Sequence, residues 1–282
     1  EQQVKKFIEQ VKLELTYKKF LKSNIIYQLI NIFNTTNVAF EKQNYSNEIE
    51  NPLEMALEFY KEYNMEYYNT IIDNIQNKRI AKDSKELVID YLKRELVEAG
   101  KSFTDTKNNT TNISLCGNDG DLFNIVHELA HFIDRNSIPQ IIPDEYWFLS
   151  ETFAFYIEKR LEHWLLNKDY KDLIYTRRNN RMFFENKMLE AIENELYYEN
   201  LYKQKGIIVE SDIDIKKIKS IIKYDVPYNI VNYLLQYPLA NILSSCLINN
   251  YIIQNDNQLV EKCINMDLYK ILEDYSLGKK TL

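Results

Sequence analysis

Glycine and proline are scarce in this sequence, which contains only five of each among 282 residues. Both residue types interrupt regular secondary structure, so a chain with so few of them is expected to form long elements joined by few tight turns. Apolar residues also recur at helical spacing, beginning with Val4, Phe7, Ile8 and Val11 near the N-terminus. The sequence therefore predicts a mainly α-helical fold.

Only one segment differs in character from the predicted helices. Helices are predicted over 1–33, 52–79, 84–98, 121–135 and 143–166, with three or four more over 169–277. Residues 101–116 (KSFTDTKNNTTNISLC) instead contain two short β-branched runs around a polar cluster of Asn and Thr. This pattern predicts a small β-hairpin or pair of strands directly before the helix over 121–135.

The charge and hydropathy of the chain limit the classes of partner. The formal net charge is −7, and an acidic chain without a basic block argues against nucleic acid as the main partner. The most apolar long segment, 230–253, contains several Asn and Gln residues and Pro238. We therefore expect this segment to be a buried helix, and we expect no membrane span. The sequence indicates no particular oligomeric state.

The cysteines and the first residue give an expectation for the cellular compartment of the protein. Cys116, Cys246 and Cys263 are far apart and form neither a disulfide framework nor a Cys-x-x-Cys metal site. A reducing compartment is the default expectation, which means the cytoplasm. The chain begins with Glu1 rather than Met, so secretion or delivery to another compartment stays open.

The segment IVHELAHFI, residues 125–133, contains two of the three histidines of the chain, four positions apart. Positions i and i+4 share one face of a helix, so His127 and His131 can direct ring nitrogens at one metal ion. Glu128 could take the proton of a metal-activated water. The alternative is that two buried histidines bond to backbone or carboxylate groups. Because a polar triplet is costly to bury among apolar neighbours without a purpose, the pattern favours a catalytic site with one Zn²⁺ per chain.

A catalytic zinc site needs a third protein ligand. Asp134 and Ser137 stand where a metzincin would have Gly and His, which excludes that class. Glu151 follows His131 after nineteen intervening residues and fits the arrangement of two histidines and a glutamate. The remaining His163 is a poorer candidate, because on a helix it is rotated by roughly 120° from Glu151.

Glu158 lies two helical turns after Glu151 and on the same face. From there it could brace one of the metal ligands through a hydrogen bond. The alternative is a surface carboxylate beside Lys159 and Arg160.

Three segments of the sequence resemble the thimet oligopeptidase and oligoendopeptidase F family of zinc metallopeptidases, in its catalytic half. They are NISLC followed by a turn and FNIVHELAHFID, then ETFAFYIE, and then VPYNIVNYLLQYPLA at 226–240. Together they cover roughly the second half of the chain in this order. The family usually has Gly at position 130 and Ser at position 154, where this chain has Ala130 and Ala154. The family's late histidine would fall near Lys223 or Tyr224.

The resemblance implies a fold, a domain organisation and an activity. The expected fold is a helical zincin-type domain of the gluzincin class, with a small β-hairpin or sheet before the active-site helix. A single catalytic domain would span 1–282, with a helical lobe over 1–100 and a zinc-site lobe over 101–282. The expected activity is that of a metalloendopeptidase, with peptides or a protein as substrate.

The implied mechanism assigns roles to further residues. Glu128 would act as the general base. Tyr228 or Tyr233 would supply a phenol that stabilises the oxyanion of the tetrahedral intermediate. The strand near 112–116 is expected at a sheet edge, where extended substrate could pair with it. The alternative for this strand is a structural edge covered by a loop.

Three other hypotheses stay open at the level of sequence. The chain could be a catalytically inactive homologue that keeps the metal and binds a partner, as the altered Lys223/Tyr224 region suggests. It could be a dedicated protease that acts on one folded protein. It could also be a helical interaction protein in which the histidine motif is accidental, although the spacing of Glu151 argues against that.

Overall fold

The computed structural model describes residues 2–19, 21–35, 40–46, 49–76, 86–90, 103–105, 110–137, 149, 151–216, 230–248 and 267–277. The helices are α1 (Gln2–Glu14), α2 (Ser23–Thr35), α3 (Pro52–Tyr63), α4 (Met65–Gln76), α5 (Gly120–Ser137), α6 (Thr152–Asn167), α7 (Lys171–Lys205), α8 (Ile230–Leu247) and α9 (Leu268–Ser276), with a 3-10 turn at Glu210–Asp212. The prediction of a mainly helical protein is confirmed.

Three short strands precede α5: β1 (Glu86–Asp90), β2 (Phe103–Asp105) and β3 (Thr110–Ser114). β3 pairs in parallel with β1 and antiparallel with β2, so the order is β1-β3-β2. The helix predicted over 84–98 is therefore wrong at 86–90, where the backbone pairs with β3. The prediction of an edge strand near 112–116 is also wrong at its start, because Asn112 has a partner on each side.

The connection from β3 to α5 is held by one carboxylate. Asp121, in the first turn of α5, accepts hydrogen bonds from the backbone N–H groups of Cys116 and Gly117 at 2.7 Å and of Asn118 at 3.2 Å. Gly117 has a φ of 72°, which favours glycine because a side chain there would be strained. These contacts set the direction in which α5 leaves the sheet.

Helix α5 is buried on almost every side, as its apolar sequence predicts. It packs between α3 and α6, and the hydroxyl of Tyr60 on α3 donates a 2.8 Å hydrogen bond to the carbonyl of Val126. The apolar cluster around α5 combines side chains of α3, α4, α6 and the start of α7. A polar group on α5 therefore needs a partner within the protein, since little water reaches it.

Helix α6 begins later than the helix predicted over 143–166. Leu149 lies in a 3-10 turn, and Glu151, with φ −94° and ψ −11°, immediately precedes the first helical residue, Thr152. Residues 143–148 lie outside the described part of the chain. Glu151 therefore stands directly before the first helical residue of α6, with a backbone conformation close to that of a helix.

Helices α7 and α8 enclose α6 from its other sides. α7 has 35 residues and ends where Gly206 adopts a φ of 73° and its N–H bonds to the carbonyl of Tyr202. α8 includes Pro238 and is largely buried, as predicted for this apolar segment. No helix in the described ranges is long and apolar enough to cross a membrane.

A second apolar cluster joins the two ends of the chain. It combines side chains of α1 and α2 with those of the later part of α7, of α8 and of α9. The proposed division into lobes over 1–100 and 101–282 stays a prediction.

Candidate metal centre

Three side chains meet where α5 faces the start of α6. The Nε2 atom of His127 lies 3.0 Å from Oε2 of Glu151, and the two histidine Nε2 atoms are 3.2 Å apart. The Nε2 atom of His131 lies 3.4 Å from the same Glu151 oxygen. The structure therefore brings together the three side chains that the sequence predicts as metal ligands, with one potential ligand atom from each inside a group no wider than 4.8 Å.

These separations fit the donor atoms of one zinc ion. Ligand atoms held about 2.0–2.1 Å from a tetrahedral zinc lie roughly 3.3 Å from one another. The three observed separations, 3.0, 3.2 and 3.4 Å, surround that value. Two imidazole nitrogens and a carboxylate oxygen are also a ligand set that Zn²⁺ prefers.

The hydrogen bonds of His127 call for a cation at the same place. Its Nδ1 atom lies 2.6 Å from Oε1 of Glu158, an acceptor, so Nδ1 carries a proton. Its Nε2 atom faces Glu151, a second acceptor, yet a neutral imidazole has only one proton to donate. A second proton or a metal ion between Nε2 and Glu151 satisfies both carboxylates.

The pKa shifts follow from this arrangement. Burial lowers the pKa of His127, but hydrogen bonds to Glu151 and Glu158 and the charges of both outweigh burial and raise it to about 9. Burial raises the pKa of the Glu151 carboxyl, but the charges and hydrogen bonds of His131 and His127 bring it well below its usual value. The centre thus favours a positive charge among the three groups.

Glu158 is buried, with 5% of its surface exposed, so the alternative of a surface carboxylate is wrong. Besides its contact with His127, it accepts hydrogen bonds from Arg177 and Arg181 of α7. Burial raises its pKa, but the two arginines and His127 together hold the pKa well below its usual value. A charged carboxylate bonded to the distal nitrogen of a ligating histidine is the usual support of a zinc ligand.

Glu128, the predicted general base, is nearly buried, with 7% of its surface exposed. It is the neighbour of His127 on α5 and points about 100° round the helix from it. Its role as a base stays a prediction.

Of the other two predicted catalytic residues, Tyr228 and Tyr233, the structure describes only Tyr233. Tyr228 lies outside the described part of the chain, as do Lys223 and Tyr224. Tyr233 is half-buried on α8, and its hydroxyl lies 3.4 Å from that of Tyr237. Burial and then the charge of Glu151 raise the pKa of the Tyr237 phenol.

Sequence reasoning missed three residues that contact predicted site residues: Arg177 and Arg181, which donate to Glu158, and Tyr237, whose hydroxyl contacts that of Tyr233. The two arginines are four positions apart on α7, and Tyr237 follows Tyr233 by four positions on α8, so each pair shares a helix face. This spacing shows that each pair shares a face, but it does not show which other helix that face contacts. His163, the poorer candidate for the third ligand, is exposed and does not belong to the group.

No protein-family model matches the chain, and neither a curated protein nor a solved structure does. The resemblance to the thimet oligopeptidase and oligoendopeptidase F family stays a prediction.

Proposed function

We propose that the chain is a zinc-dependent endopeptidase that hydrolyses peptide bonds of oligopeptides or of a protein substrate. The observation that carries the proposal is the convergence of the side-chain donors of His127, His131 and Glu151 at tetrahedral separations. The His-Glu-x-x-His order places a carboxylate, Glu128, immediately beside the first of these donors. A purely structural zinc site has no need of that carboxylate, whereas hydrolysis does.

Different residues of the chain would bind the metal, transfer the proton and support a metal ligand during hydrolysis. His127, His131 and Glu151 would hold one Zn²⁺, which when bound polarises the scissile carbonyl and makes water a stronger acid. Glu128 accepts the proton of the attacking water at its carboxylate and passes it to the nitrogen of the leaving amine. Glu158 keeps the Nδ1 proton of His127 in place throughout.

In this proposal the domain has a zincin-type arrangement of the gluzincin class, in which a small sheet precedes the active-site helix. The passage from β3 to α5 and the position of Glu151 before α6 support it. The sequence resemblance to the thimet oligopeptidase and oligoendopeptidase F family points in the same direction.

The metal assay and the cleavage assay test the proposal in that order. We expect the purified full chain to contain one zinc per molecule, measured by elemental analysis. We expect it to hydrolyse members of a peptide library, and we expect a chelator to stop the reaction and added zinc to restore it. A chain that binds no zinc at micromolar concentrations would contradict the proposal.

The same assays separate the alternatives. Bound zinc without cleavage of either peptides or proteins indicates a metal-binding homologue that acts through a partner. Bound zinc with cleavage of a protein in a cell lysate, but of no library peptide, indicates a protease dedicated to one folded substrate.

The predicted candidates for stabilising the negative charge that develops on the carbonyl oxygen are the phenols of Tyr228 and Tyr233, and the contact of Tyr237 with Tyr233 adds a third. We expect replacement of the productive tyrosine by Phe to lower kcat by about 10²-fold, because one donor to the oxyanion is lost. Zinc content and the unfolding midpoint should not change. The matched control is Tyr197→Phe, whose ring is 59% exposed on α7. Full activity of both Tyr233→Phe and Tyr237→Phe would show that neither phenol stabilises the oxyanion and that both rings serve only in packing.

A further inference from the structure

Two arginines of α7 converge on the carboxylate that supports His127. Arg177 donates to Oε2 of Glu158 from Nε at 3.1 Å and from Nη2 at 2.7 Å. Arg181 donates from Nη2 to both oxygens, at 2.8 Å and 3.0 Å. With Nδ1 of His127 at 2.6 Å from Oε1, three side chains share one buried carboxylate.

The two guanidinium groups are held in place by more than this carboxylate. Arg181 lies over the ring of Phe155, 3.9 Å from its centre, and Arg177 lies 5.1 Å from the ring centre of Phe123. The side chains of Arg177 and Arg181 are 15% and 16% exposed. Stacking on aromatic faces and a low exposure restrict both groups to one geometry.

This geometry determines the direction of the hydrogen bond to His127. A guanidinium can only donate, so a carboxylate that receives two of them is ionised and can only accept. Glu158 therefore accepts a hydrogen bond from the Nδ1–H of His127, which leaves the Nε2 lone pair directed at His131 and Glu151. The imidazole is thus oriented by a chain of contacts that begins on α7.

Attachment of α7 to α6 does not explain the pair. Arg178 already joins the two helices, with Nε and Nη2 at 3.0 Å and 2.8 Å from Oε2 of Glu162. That ion pair has the same forked geometry, and its carboxylate lies one turn further along α6, away from His127. The two arginines on Glu158 are therefore not needed to attach α7 to α6.

We propose that Arg177 and Arg181 are positioning residues of the metal centre, which act by holding Glu158 as a fixed acceptor for Nδ1 of His127. This inference rests on the proposed zinc site and extends it to α7. If charge alone mattered, loss of either arginine would strengthen zinc binding, because two positive charges near the site repel a dication. The positioning role predicts the opposite, a weaker zinc affinity.

The zinc dissociation constant decides between these effects. We expect Arg177→Met and Arg181→Met each to raise Kd by roughly 10- to 100-fold, the usual cost of losing an outer support of a zinc ligand. Each single variant leaves Glu158 with its other arginine, so the buried carboxylate keeps a partner. Kd is measured on the 282-residue chain by competition with a chelator, and the absorption spectrum of the Co²⁺-substituted protein reports any change in ligand geometry.

The matched control is Arg178→Met, which removes an α6–α7 ion pair that does not reach His127. We expect this control to leave Kd and the cobalt spectrum unchanged, even where it lowers the unfolding midpoint as much as the other two variants do. A Kd for Arg177→Met and Arg181→Met that equals that of Arg178→Met, or falls below the wild-type value, overturns the inference.

Lysine variants cover the case in which a methionine variant does not fold. Arg177→Lys and Arg181→Lys keep the positive charge but lose the planar guanidinium with its fixed pair of N–H donors. We therefore expect the zinc Kd to rise several-fold, by less than in the methionine variants. An unchanged Kd in both lysine variants overturns the inference as well. Failure of the wild-type protein to bind zinc would refute the proposed function itself, and the inference with it.

Discussion

Replacing Glu128 by Gln is expected to reduce peptide hydrolysis by about 10²–10⁴-fold while zinc stays bound. Gln keeps the size and shape of the side chain but cannot accept the proton of the attacking water. The three donor atoms of the metal centre belong to other residues and keep their separations. The measurements are kcat/KM on a cleaved library peptide and zinc content per chain.

Asp134→Asn serves as the matched control for Glu128→Gln. Asp134 is another buried carboxylate on α5, with 3% of its surface exposed, and the same change from acid to amide tests the effect of lost charge on the helix. We expect this variant to keep most of its activity. Full activity of Glu128→Gln would show that another group is the base and that the His-Glu-x-x-His interpretation is wrong.

Replacing His131 by Ala is expected to lower the zinc affinity by more than the 10- to 100-fold that loss of an outer support typically costs, because one of three donors is removed. The stability that zinc adds should disappear with it. At a free zinc concentration about 1,000 times the dissociation constant, a bound ion adds roughly 4 kcal/mol to the free energy of unfolding. Wild-type protein should therefore melt at a lower temperature after chelation, whereas His131→Ala should melt alike with and without chelator.

His163→Ala is the matched control for the ligand variant. His163 is an exposed histidine on α6 and does not belong to the metal centre. We expect it to retain one zinc per chain and the full effect of chelation on melting. A His131→Ala protein that still holds one zinc with wild-type affinity would contradict the ligand assignment.

The two histidines and their helix could be predicted because the relevant geometry is local. A four-residue spacing brings His127 and His131 to one face of any α-helix, and the apolar flanks already indicate a buried helix. Glu151 and Glu158 could be paired for the same reason, since seven residues are two turns. The structure brings both glutamates to His127, although Glu151 precedes α6 instead of lying within it.

The partners contributed by other helices could not be predicted in this way. With 35 Lys and Arg residues and 22 tyrosines in the chain, composition offers no means to single out Arg177, Arg181 or Tyr237. Their roles depend on how α7 and α8 pack against α6, which is decided by contacts between residues far apart in the sequence. The same holds for β3, whose central position depends on its pairing with β1 and β2.

The sequence by itself determined the helical character of the chain, the buried helix α5 and the two histidines that share its face, because each follows from spacing within a few turns. Only the tertiary structure decided that Glu151 and both histidines meet within 4.8 Å, and that Glu158 is a buried acceptor held by α7. The physical reason is that burial of a charged group is tolerated only where packing supplies its counter-charges, and the packing of distant segments is a property of the whole fold.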